Sequence, residues 1–236
     1  MSGGASIGWG RTIERLCYLY PPVIGVGAIG VLREADPGVP LLGEGLVLVG
    51  TFGYLAVTVA LAIAVGLDAQ ALGRTGRWRP RPGLNGATAA LIGPVAGAVY
   101  LARRHRRFPT PAGWSGWWLV IALSLGTTLF AIAAAAIGVA LALPMLALTG
   151  VAVAGAIALG AFPVAIHLDA AYVAERGLEW RPNPGVYLGL AFLSLSVPVL
   201  QPIVAAYYLV RRRRARTEAS EASEIRGDAN GERSEP

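Results

Sequence analysis

Leu67-Asp68-Ala69, Trp78-Arg79-Pro80-Arg81-Pro82-Gly83 and Tyr100-Leu101-Ala102-Arg103-Arg104 return later in the same order. The second set is Leu168-Asp169-Ala170, Trp180-Arg181-Pro182-Asn183-Pro184-Gly185 and Tyr208-Leu209-Val210-Arg211-Arg212. Asp68 and Asp169 lie 101 positions apart, whereas Tyr100 and Tyr208 lie 108 apart, so the drift in offset falls inside the Pro-containing segment. A unit of that length is too long for a solenoid repeat. It reads as a tandem pseudo-repeat of a three-segment membrane module.

The surroundings of each copy identify the solvent. The chain is 55% hydrophobic and 14% charged, against about 25% charged for an average soluble domain. From Trp117 to Ile166 there is no charged side chain. A single helix of that length, at about 1.5 Å per residue, would far exceed a hydrocarbon core of about 30 Å, so the run must fold back, and Pro144 marks the place. The predicted architecture is an all-α polytopic integral membrane helix bundle, built from two pseudo-repeats.

The expected organisation is a mobile N-terminus (1–12), membrane repeat 1 (13–107), membrane repeat 2 (108–214) and an acidic C-terminal tail (215–236). The tail is Glu, Ser, Ala and Arg with almost nothing apolar, and is expected to stay disordered because it has too little surface to bury. Six apolar segments run from about 13–32, 45–67, 84–102, 117–143, 145–167 and 186–210. Pro21 and Pro22 are placed near the start of the first.

All 20 basic residues are Arg, and the net charge is +6. They cluster beside apolar segments, which points to a membrane surface; a folded basic face with reading groups, as nucleic acid requires, is not evident. If all six segments cross, the basic stretches on either side of segments three and six fall on opposite faces, against the positive-inside rule. If those two segments enter and leave by one face, every Arg cluster is cytoplasmic. Pro94, Pro198 and Pro202 break these segments near their middles and favour the second arrangement. The count is therefore four full spans plus two Pro-broken segments, or six spans. Both arrangements leave the N-terminus in the cytoplasm, and in the favoured one, with segments three and six turning back, the C-terminus is cytoplasmic as well, in a multi-pass protein of the cell membrane.

Asp68 and Asp169 stand at the exits of the second and fifth segments. A carboxylate there is costly and needs a partner, and it faces the negative end of its helix dipole. Arg74 and Arg176 are the expected partners, in ion pairs that dock the polar loop. Arg103, Arg104, Arg106, Arg107, Arg211, Arg212, Arg213 and Arg214 are topogenic, and are candidate contacts for anionic lipid head groups. Trp78, Trp180, Tyr100 and Tyr208 are expected as interfacial anchors in an aromatic belt. Small residues at spacing four (Ala56-Ala60-Ala64, Ala122-Gly126, Gly150-Ala154-Ala158) suit close helix packing. One Cys (Cys17) excludes an internal disulfide.

His105 reads as a surface residue and His167 as an interfacial one, and no metal-ligand spacing links the two. No nucleophile–base order, phosphate loop or catalytic carboxylate pair is present. The sequence therefore predicts no enzyme, cofactor or metal.

The motif Leu-Asp-Ala, Trp-Arg-Pro-x-Pro-Gly, Tyr-Leu-x-Arg-Arg at 67–107 and 168–214 resembles a sequence style in small uncharacterised membrane proteins of halophilic archaea. That resemblance implies class and membrane location, without catalytic residues. The expected function is a structural or accessory membrane protein. Its partners are the bilayer, anionic lipid and, at the cytoplasmic Arg-rich face, a membrane protein or a second copy of the chain; nucleic acid is not among them. The alternative is a small transporter or channel with a path between repeats near Asp68 and Asp169.

Overall fold

The computed structural model describes residues 4–34, 41–75, 78–108, 113–176, 179–197 and 199–231. Those residues form an all-helical protein: α1 (Gly4–Glu34), α2 (Leu42–Thr75), α3 (Pro82–Ile92), α4 (Pro94–His105), α5 (Trp117–Ala140), α6 (Pro144–Leu159), α7 (Ala161–Glu175), α8 (Pro184–Ser196) and α9 (Leu200–Gly231). Three runs among them are long and apolar enough to cross a membrane: Leu42–Arg74, Trp117–Ala140 and Pro144–Glu175. The last bends at Gly160, between α6 and α7. Pro198 lies outside the described residues.

Glycine sets how closely the long helices approach. A Cβ on Gly50 of α2 would overlap the backbone of Gly27 in α1, at 2.6 Å from its Cα. Cβ atoms on Gly138 and Gly150 would likewise overlap α6 and α5 backbone at Ala147 and Ala131. In a solvent with no hydrophobic drive between helices, such backbone contact is the main source of attraction. Gly150 thus serves the packing its spacing predicts, whereas Gly126 faces open space.

The third segment is a broken hairpin. Gly93 links α3 to α4 with φ +54°, a conformation open to glycine at little cost, and Pro94 starts α4 at a position that needs no amide donor. The course is traced against α2. Gly86 lies beside Ala62, Gly93 reaches Tyr54, and α4 then returns past Leu61 at Gly97 to Asp68 at Tyr100. The chain enters the bundle and comes back out at the same end. Helices α8 and α9 do likewise: Tyr187 of α8 lies against Tyr208 of α9, ring centroids 4.9 Å apart, and Tyr208 reaches Asp169 of α7.

The two hairpins meet through α4 and α8, which run antiparallel. Gly185 lies against the Ala102 backbone, and Gly189 opposes Ala98 one turn deeper. Asn183 fixes this contact. Its side-chain oxygen accepts from the amides of Gly185 and Val186, capping α8, while its Nδ2 donates to Ala102 O at 2.7 Å.

Two sequence expectations need correction. Residues 4–12 already belong to α1, so Pro21 and Pro22 fall inside that helix instead of near its start. The tail continues α9 to Gly231. Ala, Glu and Arg are good helix formers, and Thr217 and Ser220 turn their hydroxyls onto carbonyls one turn back.

Candidate functional site: two carboxylate clamps and a histidine cluster

Each Asp is fully buried and held by the hairpin of its own half. Tyr100 donates to Asp68 Oδ2 at 2.8 Å, and Arg104 Nε reaches the same oxygen at 3.1 Å. Tyr208 donates to Asp169 Oδ2 at 2.7 Å, and Arg212 binds both carboxylate oxygens, Nε to Oδ2 at 2.6 Å and Nη2 to Oδ1 at 3.0 Å. In both halves the Tyr and Arg are four residues apart, one turn of a helix, so they present one face to the carboxylate. The partners thus come from the end of the motif, and not from the loop after the Asp. Arg74 and Arg176 are exposed, and Arg176 stacks over Tyr172 with its guanidinium carbon 4.5 Å from the ring centre.

The expected interfacial anchors also change role. Tyr100 and Tyr208 are buried members of the clamps. Trp78 and Trp180 are half-buried lids over them, at 5.4 Å from Tyr100 and 5.3 Å from Tyr208. Trp118 of α5 takes the guanidinium of Arg212 on its ring face at 5.7 Å. Of the eight Arg residues expected at the membrane surface, Arg104 and Arg212 are buried in these pairs, while Arg103, Arg106, Arg107, Arg211, Arg213 and Arg214 are exposed.

Between the two clamps lies a third polar group that the sequence did not reveal. His105 Nε2 is 3.0 Å from Glu14 Oε1, and the rings of His105 and His167 are 5.4 Å apart. His167 is fully buried. Its Nδ1 lies 3.2 Å from Pro184 O, which assigns the proton to Nδ1, since a carbonyl only accepts. Its Nε2 then carries a lone pair and has no partner among the described residues. Tyr18, one turn after Glu14 on α1, packs its ring edge-on to His167 at 5.7 Å. The cluster joins α1 and α4 to α7.

His105 also lines a cleft of about 440 Å³ whose rim includes Arg106, Arg107, Arg181, Asn183 and Glu175. Arg181 and Trp180 continue into a smaller depression bounded by Arg211 and Arg214. Both clamps, the hairpin openings and the exposed Arg residues therefore share one end of the bundle. Among the polar side chains inside the helices, Thr58 pairs with Tyr20 at 2.9 Å, and Thr127 and Ser194 bond to carbonyls of their own helices. Gln201 is buried, with neither amide atom partnered among the described residues.

The chain matches no family model, and comparison with curated proteins and with solved structures gives no match.

Proposed function

We propose that the protein is a non-enzymic, multi-pass membrane protein that holds anionic lipid head groups at the cleft beside His105. The observation that carries this is the rim of that cleft: Arg106, Arg107 and Arg181, from two separate hairpins, converge on one cavity of head-group size at the end where the other exposed Arg residues lie. Each basic residue near a membrane surface adds about 1 kcal/mol of attraction for anionic lipid.

The membrane assignment draws on the outer surface. Phe52, Phe130 and Met145 are 66%, 75% and 76% exposed on helices that carry almost no charge. Apolar surface on this scale, in water, is an aggregation site. We place the Arg-bearing end, both termini and both hairpin openings in the cytoplasm, in keeping with the positive-inside rule. The long helices then cross and the hairpins re-enter; the Gly93 turn of the first is covered by Tyr20 of α1 and Tyr54 of α2, as backbone at membrane depth must be. We also propose that the two halves descend from one duplicated module, because the clamps repeat residue for residue, and that the resemblance to halophilic archaeal proteins reflects shared descent.

The transport alternative near Asp68 and Asp169 has less support. Asp169 has both oxygens engaged by Arg212 and Tyr208; Asp68 keeps Oδ1 unpartnered among the described residues, but the side chain is fully buried. The clamps instead fasten each hairpin to the long helix beside it.

The test is lipid retention. Protein reconstituted in mixed phosphatidylcholine and phosphatidylglycerol nanodiscs is expected to enrich the anionic lipid, and the enrichment is expected to weaken with salt. Replacing Arg106, Arg107 and Arg181 together by Ala is expected to lower it by on the order of 100-fold. Equal retention of both lipids by the wild-type protein would refute the reading.

A further inference from the structure

We propose that Glu14, His105 and His167 form a binding site for one divalent transition-metal ion, with zinc as the best chemical fit, and that this ion joins the first half of the molecule to the second. The donor atoms of the three side chains lie within 4.8 Å of one another. A tetrahedral centre with bonds of about 2.0–2.1 Å to imidazole nitrogen and carboxylate oxygen sets its ligands about 3.3 Å apart. The cluster therefore needs a contraction of up to about 1.5 Å on the His167 side and a few tenths of an ångström of opening between Glu14 and His105.

The site shows features beyond proximity. His167 is prepared as a ligand: with Nδ1 committed to the Pro184 carbonyl, the lone pair sits on Nε2, and Nε2 is buried without a partner among the described residues. A backbone carbonyl that fixes the tautomer in this way is the usual outer support of a metal-bound histidine. An isolated lone pair on a fully buried ring is a cost that a cation at that point removes. Tyr18 adds a second buried polar atom, its hydroxyl, without a partner among the described residues, on the α1 face that carries Glu14.

The repeated skeleton does not require these residues. His167 stands two positions before Asp169, and Gly66 stands two before Asp68. His105 follows Arg104, and Arg213 follows Arg212. Each clamp forms without such a neighbour in the other half, so clamp architecture alone does not account for the cluster.

The ligand chemistry selects the metal. Two imidazoles and one carboxylate suit zinc and its neighbours, and leave hard cations such as magnesium and calcium with too few oxygens. Three protein ligands leave a fourth position, and the cleft that His105 lines lies beside the cluster. The arginines on that rim favour an anion or a neutral water there.

The chain contains two histidines in all, which makes the experiment clean. Untagged full-length protein in detergent is stripped with chelator and titrated with cobalt(II) as the spectroscopic probe, then with zinc. The wild type is expected to take up one equivalent, to develop the intense visible absorption of tetrahedral cobalt, and to lose it when zinc displaces the probe. Its thermal midpoint is expected to rise with free zinc. Glu14→Gln, which keeps the shape of the side chain, is expected to weaken uptake at least tenfold. His105→Ala with His167→Ala is expected to abolish both uptake and the zinc-dependent shift, while helical content by circular dichroism confirms that the variant is folded. Failure of the wild-type protein to bind cobalt or zinc stoichiometrically overturns the proposal without reference to any variant. Undiminished uptake by the double variant overturns it equally.

Discussion

The clamp around Asp169 is saturated and the clamp around Asp68 is not. Arg212 meets its carboxylate with two nitrogens, whereas Arg104 brings Nε to the Asp68 oxygen that Tyr100 also uses, and Asp68 Oδ1 is buried without a partner among the described residues. The contrast extends along the motif. Asn183 caps α8 with its side chain and ties it to α4, while Arg81, at the matching position, gives α3 no side-chain cap. Gly185 lies against Ala102, but Gly83 has open space around it. One sequence motif thus builds two sites of unequal rigidity. The second hairpin is locked both to its long helix and to the other hairpin. The first is locked less tightly, and both hairpins touch the histidine cluster, the first through His105 and the second through Pro184 O.

This contrast can be broken in graded steps, each read as a shift in thermal unfolding midpoint in detergent. The largest effect is expected for Asp169→Ala, which strands Arg212 in a buried site; removing one partner of such a pair costs about 3–5 kcal/mol. Asp68→Ala is expected to cost less, because it removes fewer bonds. Equal losses would show that bidentate geometry is not what separates the two clamps. Next comes Gly185→Ala, whose Cβ has no room beside Ala102; overpacking of this kind costs about 1–3 kcal/mol, against no measurable change for Gly83→Ala. Tyr208→Phe and Tyr100→Phe each delete one hydrogen bond to a charged group, worth about 1.5–3 kcal/mol, and the first is expected to be the more damaging. The smallest loss is expected for Asn183→Ala, about 1 kcal/mol for the cap, with Arg81→Ala leaving α3 unaffected.

How much of this was written in the sequence differs by element. The breaks in the hairpins were legible, because Gly93-Pro94 combines a residue that tolerates positive φ with one that cannot continue a helix. That Asp68 and Asp169 need partners was legible from the cost of a carboxylate among apolar residues. The identity of the partner was not. Arg74 lies six positions from Asp68 and Arg104 lies 36 away, and nearness along the chain is a poor guide once a hairpin brings distant turns together. The clue that was present is the spacing: Tyr100 with Arg104, and Tyr208 with Arg212, stand one helical turn apart in both copies, each with one Asp to serve. The histidine cluster had no such clue. Glu14, His105 and His167 share no local pattern, and only the packing of α1, α4 and α7 assembles them. The tail was misread because low hydrophobicity argues against a core, but does not argue against a helix extended from a folded one.

The central claim is that the Pro-broken segments turn back and do not cross. It is tested by single cysteines placed in a Cys17→Ser background at Arg79, before the first hairpin, at Gly113, after it, and at Glu44 as the opposite-face control, with a membrane-impermeant thiol reagent applied to sealed cells and to inverted vesicles. Labelling of the cysteines at Arg79 and Gly113 from the cytoplasmic face alone, with the cysteine at Glu44 labelled from outside, is the predicted result. Labelling at Arg79 and Gly113 from opposite faces would contradict it.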